Sequence, residues 1–132
     1  MSLYFWIAIG SALGGVARYA LNGFVSEHGG GTFPWGILII NALGSFAIGF
    51  FATLTLPGGR FPVGPTGRQF FMTGICGGFT TFSSFSLGTL MLARDREWLQ
   101  AGGYVAGSVI LCLASVLLGH LAATAVNSLK GP

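Results

Sequence analysis

The sequence predicts an all-α integral membrane protein. It has four transmembrane helices in a single domain over residues 1–132, with the third helix broken near its middle. Two copies are expected to pair as an antiparallel, dual-topology homodimer. Three observations carry this. Hydrophobic residues make up 52% of the chain and charged residues only 7%, against about 25% charged in soluble domains. Four apolar runs, at about residues 2–26, 33–56, 69–93 and 98–129, each exceed the ~18 residues that mark a membrane-crossing helix. The basic residues then divide evenly between the two sides those helices define.

The first run is too long for a cleavable leader and lacks a basic start. It carries Arg18 within GGVARY, about two turns from the helix end. A charge near the bilayer centre costs roughly 2.5 to 3.5 kcal/mol on the insertion scale. Arg18 therefore either snorkels to the interface or presents positive potential at a vestibule that draws in an anion. The second run holds Asn41, with Ser45 and Gly49 at helical spacing on one small, partly polar face. An Asn there serves as interhelical glue or as a source of N–H donors for a dehydrated anion.

The third run contains GICGGFTTFSSFS, residues 74–86. Gly74, Gly77 and Gly78 weaken the helix, and Thr80, Thr81, Ser83, Ser84 and Ser86 bring hydroxyls to bilayer depth. A broken helix survives at that depth only where protein or a watery cavity satisfies its backbone. The segment therefore reads as the lining of a polar pathway. Phe82 and Phe85, three apart, share a face. They are either core or rings whose positive edges can stabilise a small anion. Carbonyls freed by the break can hold a cation, and its amides an anion. On the fourth run, Tyr104, Ser108, Cys112 and Ser115 form a modest polar stripe.

Arg60, Arg68 and Lys130 fall on one side of the bilayer and Arg94, Arg96 and Arg18 on the other. With no bias for the positive-inside rule to act on, both orientations are open, and opposite copies can pair about an axis in the membrane plane. Four helices enclose too little volume for a polar route alone, so assembly is expected. Pairs of glycines four apart at Gly10 and Gly14, Gly74 and Gly78, and Gly103 and Gly107 predict tight helix contacts within or between subunits. Cys76 and Cys112 lie mid-span on different runs and are expected to pack as small apolar residues. No nucleophile, His pair or carboxylate pair stands at a useful spacing, so an enzyme is not expected. The scattered net charge of +3 is no footprint for nucleic acid.

GGVARY, WGILIINALGSFAIGF and GICGGFTTFSSFS, in that order on consecutive runs, resemble the small fluoride-channel family known as Fluc or CrcB. The resemblance covers most of the first three runs and, more weakly, the fourth. It implies an antiparallel homodimer with two pores, multi-pass in the cytoplasmic membrane, that passively exports fluoride. It assigns Phe82, Phe85 and Asn41 to the pore, Tyr104 and Ser108 to a polar track beside it, and Thr81, Ser83 and Ser84 as further candidates. It also implies a structural sodium ion on the dimer axis, held by the backbone carbonyls of Gly77 and Thr80. The chain departs from many members at Leu87, Gly88 and Thr89, where they carry a Glu, and at Cys112, where some carry a hydroxyl. The alternative is a dual-topology small multidrug exporter, which needs a membrane-embedded Glu or Asp. The three acids here, Glu27, Asp95 and Glu97, lie in predicted loops.

Overall fold

The structure, a computed structural model, describes residues 2–129. Lys130, part of the charge count, lies outside the described residues. The regular structure of the described residues is all helical: α1 (Ser2–His28), α2 (Trp35–Leu54), α3 (Pro65–Gln69), a π-helical segment (Phe70–Cys76), α4 (Gly77–Phe79), α5 (Phe82–Arg94) and α6 (Trp98–Ser128). Among the described residues, three stretches are long and apolar enough to cross a membrane: Trp35–Leu54, Pro65–Arg94 and Trp98–Ser128. The 27-residue α1 matches them in length, but Ser11, Arg18 and Asn22 lower its hydropathy. Pro65–Arg94, the third stretch once α1 is counted, starts before the apolar run, because proline at a first helical position forfeits no bond.

The helices alternate in direction. At one end Asn127 Nδ2 donates to Thr53 O (3.1 Å), and Arg60 N–H donates to Asn127 Oδ1 (2.9 Å). At the other, Thr32 Oγ1 donates to Glu97 Oε2 (2.6 Å). The C-terminal carbonyls of α2 are capped from the next helix. Arg68 Nη1 donates to Ala52 O (3.1 Å) and to Thr55 Oγ1, where a cation also complements the helix dipole.

Two seams hold the bundle. α1 runs along the third stretch with Gly10 against Gly74 and Gly14 against Gly78. A Cβ at Gly10 would stand 2.6 Å from Phe70 O and 2.9 Å from Gly74 Cα. The second seam joins α2 and α6, with Gly49 on Val116 and Gly119 on Phe46 and Phe50. Gly103 and Gly107 have the same spacing as the first seam, yet nothing lies within 4 Å of a Cβ at either. Few side chains are buried within the single chain, chiefly Leu38, Ile40, Leu92, Ala101, Tyr104 and Ala123. Leu and Ile stay exposed around the bundle, as in Leu99 (91%) and Ile110 (68%). Apolar exposure on that scale suits lipid or a partner, not water.

α5 stops in a Schellman turn: Glu97 N–H donates to Leu92 O (2.9 Å) and Arg96 N–H to Ala93 O (3.1 Å). Arg96 carries the left-handed conformation this requires, at φ 62°. Replacing it by glycine removes the Cβ penalty, about 1 to 2 kcal/mol, against a backbone-entropy cost of about 0.5 to 1 kcal/mol. Arg96→Gly is expected to raise the unfolding temperature in detergent slightly, and a fall would contradict this account of the turn.

Candidate functional site

The third stretch does break, but not at its glycines. Gly74, Gly77 and Gly78 all remain helical, and the chain becomes extended at Thr80 (φ −78°, ψ 160°) and Thr81 (φ −155°, ψ 116°). The last ladder bond of the first half is Thr80 N–H to Cys76 O (3.0 Å), an oxygen also reached by Thr80 Oγ1 (3.0 Å). Thr81 N–H would continue the ladder to Gly77 O. It donates instead to Asn41 Oδ1 (2.8 Å), while Asn41 Nδ2 donates to Thr81 O (3.0 Å). One carboxamide thus binds both polar groups of residue 81, satisfying at depth the backbone that the break exposes. This refines the expectation for Asn41. Its oxygen and one N–H are committed to the backbone, and a single N–H is left over.

Thr81 is also the N-cap of α5. Its Oγ1 accepts from Ser84 N–H (3.1 Å) and bonds the hydroxyls of Ser84 (3.1 Å) and Ser83 (3.2 Å). The hydroxyl-rich sequence therefore serves first to start a helix inside the membrane. Ser86 and Thr89 donate to the carbonyls four residues back, Phe82 O (3.0 Å) and Phe85 O (2.9 Å).

Beside the break opens a cavity of about 320 Å³, lined by Asn41, Thr80, Thr81, Phe82, Phe85, Ser108, Val109, Cys112 and Leu113. The Phe82 and Phe85 rings meet with centroids 5.2 Å apart and planes inclined at 51°. Phe82 is 78% exposed within the single chain, so this side of the cavity is closed only by something outside the chain. The opposite wall is α6, where Ser108 Oγ is buried without a hydrogen-bond partner among the described residues.

Of the expected site residues, Asn41, Thr80, Thr81, Phe82, Phe85 and Ser108 share this cavity. Tyr104 stands behind it. Its ring is fully buried, 5.1 Å from the Phe85 centroid and 5.4 Å from that of Phe33, and its hydroxyl also has no partner among the described residues. Ser83 and Ser84 reach the site through Thr81. Arg18 lines a separate cavity with Ser84. Gly77 stands in α4 just before the break, and Thr80 is its first extended residue. Cys112, noted as a departure, faces the cavity directly, whereas Val109 and Leu113 carried no polar signal in the sequence and were missed. Gly88 sits between Pro34 and Tyr104, each 3.4 Å from where a Cβ would stand. Cys76 is buried and Cys112 half-buried, and neither is in a disulfide among the described residues. Glu27 lies in the last turn of α1, while Asp95 and Glu97 lie between α5 and α6, all away from the cavity.

The arrangement is an uncharged niche at a helix break, with hydroxyls, one amide N–H and two phenyl rings around it. Such a lining can exchange hydration for weak contacts without trapping an ion. A family profile described as CrcB-like protein, Camphor Resistance (CrcB), matches residues 5–120. A protein of Opitutus terrae named fluoride-specific ion channel FluC is 65% identical over 131 residues, covering 99% of each chain. Proteins of the same name from Methylocella silvestris and Paramagnetospirillum magneticum are each 59% identical, over 97% and 96% of this chain and 98% and 99% of their own. On the strength of these matches along nearly its whole length, the chain belongs to the CrcB-like family.

Proposed function

We propose that this multi-pass membrane protein is a fluoride channel, conducting the ion passively through the cavity beside the Thr80–Thr81 break. The observation that carries the reading is that cavity: a neutral lining of Phe82, Phe85, Thr81, Ser108 and the spare Asn41 N–H, in a chain 65% identical to a protein named for fluoride. Fluoride is small and strongly hydrated, so its pathway must supply donors in place of water and still release the ion. The unpartnered Ser108 hydroxyl is such a donor, with the Tyr104 hydroxyl behind it. Leaving either unpaired costs about 1 to 3 kcal/mol, which a passing anion offsets.

The pathway belongs to an antiparallel homodimer. The exposed Phe82 ring and the open Gly103 and Gly107 face support a second copy covering what the chain leaves bare. Each protomer contributes one break, hence two pores. The carbonyls of Gly77 and Thr80 would hold a structural sodium ion on the axis. Diversion of Thr81 N–H to Asn41 takes the ladder partner from Gly77 O, and neutral backbone oxygens at an unwound helix suit an alkali cation. When bound, the ion would supply fixed positive charge near the break. The protein's part is to present the oxygens.

Purified protein reconstituted in liposomes is expected to release fluoride to an external electrode once counter-charge is allowed to move, with or without a proton gradient. Absence of release would overturn the reading, and strict dependence on a proton gradient would favour a coupled exporter. Within this assay Phe82→Ile keeps the apolar bulk but removes the ring edge. It is expected to abolish release while leaving assembly unchanged on size exclusion. Unaltered flux would remove the phenyl ring from the pathway.

A further inference from the structure

Two cavities on the α1 side of α5 take no part in the site described above. One, of about 310 Å³, is lined by Gly15, Arg18, Tyr19, Asn22, Ile37 and Ser84. The other, of about 380 Å³, extends from Asn22 and Ser84 past Gly88 towards Thr32. Asn22, Ile37 and Ser84 line both, so the two compartments meet there, and Asn22 and Ser84 are the polar groups at the junction.

Arg18 and Asn22 are four apart on α1 and so share a face. Both are half-buried, and neither side chain has a hydrogen-bond partner among the described residues. The carboxamide of Asn22 packs closely against α2 all the same. Gly36 of α2 has no Cβ, and Asn22 Oδ1 occupies the space a Cβ would need, with Asn22 Cγ 3.1 Å from that point. Packed there without a protein partner, the carboxamide has its hydrogen-bonding groups, N–H donors included, to offer to the cavities. From Ser84 the polar contacts run onward: Ser84 Oγ bonds Thr81 Oγ1 (3.1 Å), and Thr81 lines the cavity with Phe82 and Phe85.

Resting on the fluoride reading above, we propose that Asn22 is an outer selectivity contact of the pathway, a neutral donor that receives fluoride from the Arg18 compartment and passes it to the Ser84 hydroxyl. Arg18 and Asn22 divide the work. A guanidinium attracts any anion at a distance, whereas exchange of bound water for a fixed donor discriminates among anions at contact. A neutral donor one turn beyond the charge completes the contact without adding a second charge to hold the ion back.

The test is initial fluoride efflux from liposomes holding wild type, Asn22→Ser, Asn22→Leu or Asn22→Asp, each confirmed monodisperse and assembled. Aspartate matches the size of Asn22 but sets a negative charge in the doorway. At low ionic strength it is expected to slow efflux about tenfold or more. That deficit should shrink as salt rises from about 0.01 M to about 1 M and the screening length falls from about 30 Å to about 3 Å. Asn22→Leu is expected to be slow at every salt concentration, and Asn22→Ser, which keeps a donor, to stay near wild type. If the aspartate variant does not assemble, the contrast between Leu and Ser decides alone. Wild-type rates in both the Leu and Asp variants would overturn the role of Asn22. So would equal, salt-independent slowing in all three, which would mark only packing against Gly36. A wild type that releases no fluoride would overturn the function proposed above, a result distinct from a conducting wild type indifferent to Asn22.

Discussion

Asn41→Leu is expected to abolish fluoride efflux, because one side chain holds the break open. The substitution preserves size and removes both bonds to residue 81, the 2.8 Å bond from Thr81 N–H and the 3.0 Å bond to Thr81 O. Each buried backbone group left unpaired costs about 1 to 3 kcal/mol, so the pair destabilises the broken conformation by roughly 2 to 6 kcal/mol. The least costly remedy is for Thr81 N–H to return to Gly77 O and close the helix. That change would rotate Phe82 and Phe85 out of register with Ser108. Efflux below about one-hundredth of wild type, the equivalent of about 2.7 kcal/mol, is therefore expected in protein that still assembles. Wild-type flux would show that the clamp is dispensable. Asn41→Asp is a useful companion: it keeps an acceptor for Thr81 N–H but has no donor for Thr81 O, and it adds a negative charge beside an anion route.

Gly14→Val is expected to prevent folding. A Cβ at Gly14 would overlap Ile75 O and stand 2.8 Å from Phe79 N and 3.1 Å from Gly78 C. All three are backbone atoms, which cannot rotate aside as a side chain can. Overpacking typically costs about 1 to 3 kcal/mol, and the upper end or beyond applies where two helix axes must separate. The site would suffer even in any protein that folded, because Phe79 and Gly78 precede the break by one turn or less. Loss of monodisperse protein in detergent is the expected result. Gly23→Ala, on the same helix with nothing within 4 Å of its Cβ, is the control expected to give monodisperse protein as wild type does. Normal yield of Gly14→Val would show that the α1 seam is looser than described.

Hydropathy alone located the apolar runs, since lipid leaves a spanning backbone little choice but to form helix. The glycine spacings were legible as contacts but not as partners. Gly10 and Gly14 meet Gly74 and Gly78, whereas Gly103 and Gly107, spaced identically, face open space in the chain. Spacing records one helix surface and says nothing of what lies opposite. The hydroxyl cluster and phenyl pair were likewise legible as a polar interruption of an apolar span. That Ser83 and Ser84 act through the Thr81 cap, and that Tyr104 stands behind Phe85, required the packed bundle.

The sequence by itself determined that the chain is helical, membrane-embedded and interrupted within its third apolar run, because composition and local propensity act within a few residues. Only the tertiary structure decided where the break falls. The glycines are flexible enough to bend but have all their neighbours in helical register, so they stay helical. Thr80 and Thr81 become extended because Asn41, forty residues earlier in the chain, offers residue 81 a better pair of hydrogen bonds than the helix does. That choice depends on how α2 lies against the third crossing, a relation no local pattern encodes.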